Sequence, residues 1–360
     1  MSAPFEDLEA DWLSVEEALA RVLSDAEPLP PIRIAPSDAH RRILASDVEA
    51  RATLPPHDNS AMDGYAVIAD DVRGATAEQP VRLEVAGHAV PGPPIDAVVT
   101  PGTAVRITTG APLPAGADSV VRVEHTDRES TDGTVKILDG SDAGRNVRPA
   151  GRDLHAGDVV ARRGERLDPG RLGIVISAGA ATVAVHARPR VSVVATGDEL
   201  AGPDEMDRVL AGDAVPDTNG PMIGAAVEAA GGVARTAPAA PDDLDALVAR
   251  LTSELDADLL VTIGGASMGT GDLVKRALDR LGFRLDFWRV TMRPGSPFGF
   301  GHILRDGARP LPVCSLPGNP ASAFVTFELF VRPLVRRLGG HTRFHRRVVD
   351  AAVVLLSVAG

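Results

Sequence analysis

The chain carries one cysteine, Cys314, in 360 residues. That excludes an intramolecular disulfide and any zinc site built from several thiolates. Aromatic residues make up only 3% of the sequence, so the core has to be assembled from small aliphatic side chains. No apolar run approaches the ~20 residues that a membrane span requires. The opening stretch, MSAPFEDLEADW, is acidic and lacks the basic and apolar segments of a secretory signal. A cytoplasmic protein with no membrane partner is expected. The formal net charge of −12 leaves no surplus of Lys and Arg for a nucleic-acid face. It leaves room for a local basic pocket that takes a small anion. Neither a Walker A loop nor a His-Glu-x-x-His helix occurs, and the nine histidines are scattered without ligand spacing. Gly265-Ala266-Ser267-Met268-Gly269 matches a hydrolase elbow in letters only. Three residues, Thr270, Gly271 and Asp272, intervene before the next helical pattern, where an elbow runs directly into its helix.

What is present centres on Leu259–Lys275. Leu259–Ile263 reads as a buried parallel strand. Gly264 and Gly265 follow, then Ser267, Gly269, Gly271 and Asp272, and a helix opens at Leu273. Two readings fit: a tight left-handed turn, or a backbone cradle for phosphate at a helix N-terminus. Asp272 makes sense beside a phosphate if Mg²⁺ bridges the two.

Around this stretch the pattern changes along the chain. Ser14-Val15-Glu16-Glu17 reads as a capping box opening a short amphipathic helix. Residues 54–67 pack polar turn formers around the only tyrosine. Short strands follow at Val81–Val85, Thr103–Ile107, Ser119–Val123 and Thr134–Ile137. Ile32–Val48 and residues 146–185, read as short strands and turns, are each too small to fold alone. They are expected to pair, with the β-rich segment inserted between them. From Pro189 strands and helices alternate: strand Val191–Ala195, helix Pro221–Ala230, a strand near Val233, helix Asp242–Leu255, strand Leu259–Ile263, helix Leu273–Leu281, and strands Leu285–Val290, Phe298–Ile303 and Leu311–Ser315, then a long helix Pro320–Leu338. This is the pattern of a doubly wound, mostly parallel α/β domain. The division expected is 14–53 with 146–185, 54–145, 186–340, and a remnant at 341–360.

Ligands in such sheets lie outside the carboxyl ends of the strands. The loops at 196–200, 264–272, 291–297 and 316–320 are therefore expected to meet at one crevice. They bring carboxylates (Asp198, Glu199 and Asp272, with Asp242 at a helix start), a Pro317-Gly318-Asn319-Pro320 helix entry, and two arginines, Arg289 and Arg293. For Asp242 and Asn319, plain N-capping is an equally good reading. Together, acid, base and backbone donors are what a Mg²⁺–phosphoanhydride reaction uses.

These motifs resemble the molybdopterin molybdenumtransferase family, that of MoeA and the gephyrin E-domain. The resemblance rests on Pro55-Pro56-His57-Asp58-Asn59-Ser60-Ala61-Met62-Asp63-Gly64-Tyr65-Ala66-Val67, Thr109-Gly110-Ala111-Pro112, Thr196-Gly197-Asp198-Glu199-Leu200, Asp217-Thr218-Asn219, Gly264 to Gly269, Met292-Arg293-Pro294-Gly295 and Leu316 to Ala323. It implies a multidomain fold: an α/β domain of the molybdopterin-binding type, an inserted small β-domain, an elongated linker domain, and a C-terminal β-barrel that is largely absent here. It implies insertion of molybdate into adenylylated molybdopterin with release of AMP and with Mg²⁺, in a homodimer whose sites are shared between chains. Carried over by motif, Asp63, Glu199, Asp242 and Asp272 would be catalytic, the last three as metal ligands. Thr109, Arg148, Asp153, Gly264, Gly265, Ser267, Arg289, Arg293, Pro317, Gly318, Asn319 and Ser322 would bind substrate. Asp243 is the less favoured member of the Asp242–Asp243 pair.

Several positions depart from the family pattern. Thr270 stands where an acid is common, Ser296 where a lysine is frequent, Arg152 where Glu is usual and His57 where Phe is usual. Two other functions therefore stay open: a catalytically weakened paralogue that binds cofactor or serves as a scaffold, and an adenylyltransferase acting earlier in the same pathway.

Overall fold

The computed structural model describes residues 12–130, 133–264 and 273–346. The chain divides into two compact units. One takes Asp47–Ala161 and Gly173–Ala181, and the other takes the remainder.

The larger unit is built on six strands: β1 (Arg190–Ala195), β2 (Val233–Thr236), β3 (Leu259–Ile263), β4 (Phe283–Phe287), β5 (Gly299–Ile303) and β6 (Leu311–Leu316). Their order is β2-β1-β3-β6-β5-β4. The first four are parallel, and β5 and β4 each run antiparallel to the strand before. β3 and β6 are buried along their whole length, as their unbroken apolar runs require. Alternate residues feed two cores. Val191, Val193, Val261 and Cys314 face helices Asn219–Ala230 and Pro320–Leu338, while Val194, Leu260 and Val313 face helices Leu244–Thr252 and Leu273–Arg280. Helices on both faces make the domain doubly wound, as the alternation predicts. Cys314 is fully buried, and burial pushes its thiol far up, so it packs as a small hydrophobe.

At the other end of the chain, the capping box at Ser14 is present: Ser14 Oγ accepts from the Glu17 amide, and Glu17 answers by accepting from the Ser14 amide. The helix it opens, Val15–Ser24, buries Ala18 and Val22 in the first core. Strand Pro31–Ile34 pairs antiparallel with Val183–His186.

Some boundaries differ from the sequence reading. The fourth strand runs Phe283–Phe287 rather than Leu285–Val290, because Gly282, at φ 72°, ends the preceding helix abruptly and the strand starts at once. The helix expected from Asp242 starts at Leu244, with Asp243 as its cap. The long helix is continuous from Pro320 to Leu338, but Phe327–Val331 forms a π turn within it. Pro333 supplies the cause. In an unbroken α-helix its ring would strike the carbonyl of residue 329, and one wider turn relieves that contact.

The smaller unit contains a five-stranded sheet in the order Ser119–Arg122, Gly64–Val67, Thr103–Ile107, Val81–Ala89, Thr134–Ile137. The second of these was read as part of a polar turn. It is a fully buried strand, hydrogen-bonded on both sides. The fourth continues four residues past Val85, across an irregularity in pairing between Val85 and His88. Val48–Glu49 pairs with Val159–Ala161. A helix, Pro169–Ser177, stands where short strands and turns were expected. The C-terminal remnant's residues 347–360 lie outside the described residues. No helix among the described residues is long and apolar enough to cross a membrane.

Candidate functional site

In the smaller unit, three motifs lie side by side. Leu54 bridges to Leu154, and Asp58 Oδ1 accepts from the Ala150 amide. Asn59–Ser60 pairs with Val147–Arg148, and Asn59 also bridges to Pro112. The Gly110 amide donates to the Ser60 carbonyl. Residues 54–67, 109–112 and 146–154 are thereby joined. At their edge Asp63 Oδ1 accepts from both the amide of Thr109 at 2.6 Å and its hydroxyl at 2.9 Å. These two bonds, the backbone one first, hold the exposed Asp63 carboxyl below the usual carboxylate range. Arg148 and Asp153 are exposed on the neighbouring backbone, Arg148 opposite Asn59 and Asp153 donating its amide to Leu54.

The strand that follows Asp63 explains its motif. A Cβ on Gly64 would lie 1.9 Å from the Val121 carbonyl oxygen, so only glycine permits this pairing. Tyr65 is buried and donates to Glu129 at 3.0 Å; burial and Glu129 push its pKa up to about 12.

In the larger unit, the loops after β1, β3 and β6 touch where the strand order reverses. The Thr196 amide donates to Ile263, Gly264 to Leu316, and Gly197 to Ala240. Gly264 is left-handed at φ 94°, and a Cβ there would press within 3.2 Å of the Thr196 carbonyl oxygen. A Cβ on Gly318 would sit 3.6 Å from the Gly264 Cα. This is the switch-point crevice that open α/β sheets use for ligands.

Asp198 and Asp242 are tied together across it. The Asp242 amide donates to Asp198 Oδ1 at 3.0 Å, and the Asp198 amide points to Asp242 Oδ2 at 3.5 Å. Asp243, not Asp242, caps the helix, accepting from the Ala246 amide at 2.8 Å. The capping reading of Asp242 is therefore replaced. Glu199 is exposed and folds back over Gly197, where a Cβ would meet its carboxylate at 2.6 Å. Asn319 is a helix cap: its Oδ1 accepts from the amides of Ala321 and Ser322. Pro317 is buried, Gly318 exposed, and Ser322 half-buried in the first turn beyond. Arg289 stacks its guanidinium over Trp12, 5.6 Å from the ring centre. Arg293 is exposed on a loop that packs onto helix Pro320–Thr326, for a Cβ on Gly295 would meet Thr326 at 2.7 Å. Gly265, Ser267 and Asp272 lie outside the described residues.

Two further residues belong to this crevice. Asp198 was expected among the crevice carboxylates but was assigned no catalytic or metal role, and it is the partner of Asp242. Asn219 donates its Nδ2 to the Gly318 carbonyl at 2.7 Å, and its Oδ1 is buried with no hydrogen-bond partner among the described residues. The Asp217-Thr218-Asn219 motif was the signal for it.

A doubly wound sheet with glycine loops and carboxylates at its switch point defines a small-molecule-binding α/β class. The comparisons make the class specific. Residues 13–179 match the MoeA N-terminal region (domain I and II), and residues 192–337 match the probable molybdopterin binding domain. Molybdopterin molybdenumtransferase 2 of Mycobacterium tuberculosis is 38% identical over 333 residues, covering 91% of this chain and 80% of that protein. Molybdopterin molybdenumtransferase of Haemophilus influenzae is 34% identical over 322 residues, covering 89% and 76%. The crystal structure of the molybdopterin biosynthesis moeA protein from Pyrococcus horikoshii superposes with a TM-score of 0.73 at 27% identity, covering 93% of this chain and 81% of that one. The chain belongs to the molybdopterin molybdenumtransferase (MoeA) family, whose members are transferases of molybdenum cofactor biosynthesis.

Proposed function

We propose that this chain inserts molybdate into adenylylated molybdopterin, releasing AMP, with Mg²⁺, at a site completed by a second copy of the chain. The observation that carries the reading is the crevice itself, where the Gly264 and Gly318 turns meet beside the linked carboxylates of Asp198 and Asp242. Backbone at the two glycine turns approaches the phosphate groups, and Arg293 offers a bidentate hold on an oxyanion. Asn219 holds the Gly318 turn in place through its carbonyl.

The acidic side chains suit Mg²⁺ in a particular way. Among the described residues no group of three metal-binding side chains is assembled. Mg²⁺ usually takes one or two carboxylates and completes its octahedron with water and substrate oxygens, so the Asp198–Asp242 pair supports a site finished by the substrate. Glu199 and Asp272 are the remaining proposed ligands. When bound, Mg²⁺ would neutralise charge on the phosphoanhydride. Asp63, oriented by Thr109, belongs to the other compact unit. The reading that a second copy supplies Asp63 rests on the family resemblance.

The test is direct. Purified protein with adenylylated molybdopterin, molybdate and Mg²⁺ should release AMP, with each component required. In Asp272→Asn, release should fall by at least about a hundredfold, the order of ~2.7 kcal/mol in the barrier. The thermal midpoint should barely move. No AMP release from folded parent protein would replace the enzyme reading with that of a cofactor-binding relative.

A further inference from the structure

A second cavity, of about 490 Å³, lies in the larger unit away from the crevice. Its walls come from the segment Gly164–Arg171 and from the end of the long helix with the turn beyond it, Arg336 and His341–Arg343. Four arginines line it: Arg166, Arg171, Arg336 and Arg343. Only Arg171 is compensated, at 2.6 Å from Asp168 and 3.4 Å from Glu165. Among the described residues, no ion pair involves Arg166, Arg336 or Arg343. Those three cations face a surplus of one carboxylate.

The polar contacts inside the cavity go mainly to backbone. Arg336 Nε donates to the Arg343 carbonyl at 2.7 Å, which ties the helix end to the turn beyond it within one wall. Arg332, next to the cavity, donates to the Phe344 carbonyl and lies 3.7 Å from Glu328, which Arg346 also engages. Burial, then repulsion from Arg332 and Arg166, pulls Arg336 down to about 10. Burial, then repulsion from Arg336, Arg166 and Arg332, pulls His341 down to about 4, so it contributes no cation near neutral pH. Like charges gathered in a half-buried cavity repel, and an anion seated among them removes that cost.

The geometry points to a second anion site here, one that takes a phosphate-class oxyanion of at least two charges, with pyrophosphate the simplest member. Arg166 stands on one wall and Arg336 and Arg343 on the other, so an anion with two phosphate groups meets guanidinium from both sides. The volume is that of a small-molecule pocket rather than a lone-ion site. No group in the proposed molybdate reaction is used here.

Titration calorimetry with inorganic pyrophosphate tests it on the full chain. The parent protein should show saturable binding that weakens as salt rises. Arg166→Gln changes an exposed side chain and should leave the fold intact while weakening binding tenfold or more. Arg336→Gln should do the same, with circular dichroism checking the fold. Arg82→Gln, at an exposed position of strand Val81–Ala89 in the smaller unit, should leave this binding unchanged. The inference is overturned if the parent shows no saturable binding, if Arg166→Gln and Arg336→Gln bind as tightly as the parent, or if Arg82→Gln weakens binding as much as they do.

Discussion

A carboxylate is set by what donates to it, and Asp63 is held by one residue through two atoms. The Thr109 amide is fixed by the backbone; its hydroxyl can be removed. Thr109→Val takes away the second bond and should move the Asp63 titration up toward the ordinary value of about 3.9. The sign follows from linkage. A carboxyl depressed in the folded state adds stability above its unfolded pKa and loses it as pH falls through the folded one. Parent and variant should therefore unfold alike in acid well below pH 4 and diverge as pH rises through that range, the parent being more stable. Carboxyl NMR and denaturation at acid and neutral pH read both effects. An unmoved Asp63 titration would mean that the hydroxyl bond contributes nothing. At this scale the sequence was readable as a set of motifs, but not as pairings. Asp198 and Asp242 lie 44 positions apart, and nothing local announces that each amide points to the other's carboxylate. Asp243 as the cap is a choice between two adjacent identical residues, made by the one whose side chain accepts from the Ala246 amide.

Elements were legible where burial imposes a period. The parallel strands, buried on both faces, stand out as apolar runs, and β3 was read with its observed ends, Leu259–Ile263. Gly64–Val67 was hidden because only four residues are strand and polar turn formers precede them. Pro169–Ser177 was missed although Asp168 before Pro169 is a helix-start signal, and Asp168 Oδ1 does accept from the Arg171 amide. The strand at Gly64 offers a sharp test. Gly64→Ala places a methyl 1.9 Å from Val121 O and 3.0 Å from the Arg122 Cα, so the two strands must part. A loss of at least about 3 kcal/mol in urea denaturation is expected, at the upper end of overpacking costs. Gly74→Ala, with no atom within 4 Å of the added methyl, should stay within about 0.5 kcal/mol. Equal stability of the two variants would contradict the pairing.

For the whole molecule, Asp63 and Thr109 belong to one compact unit and the crevice carboxylates to the other. A homodimer with sites shared between chains is the proposal, carried by the family resemblance. Sedimentation should give a dimer at micromolar concentration, with a contact above the ~1,000 Å² expected of a specific interface. A monomer under those conditions would overturn it. This was the least legible level, because a partner's surface leaves no period in a single chain; only the resemblance carried it.

The π turn at Phe327–Val331 has a consequence for insertions and deletions. A π turn is a helix carrying one residue more than its phase needs. Removing a residue from an ordinary α-helical turn rotates everything beyond it by about 100°. Here the surplus can be given up: deleting the exposed Leu329 together with Pro333→Ala returns an unbroken α-helix. Leu334, Val335 and Leu338 then still face the core. The long helix thus holds one place where a family member can be a residue shorter and keep the same packed face.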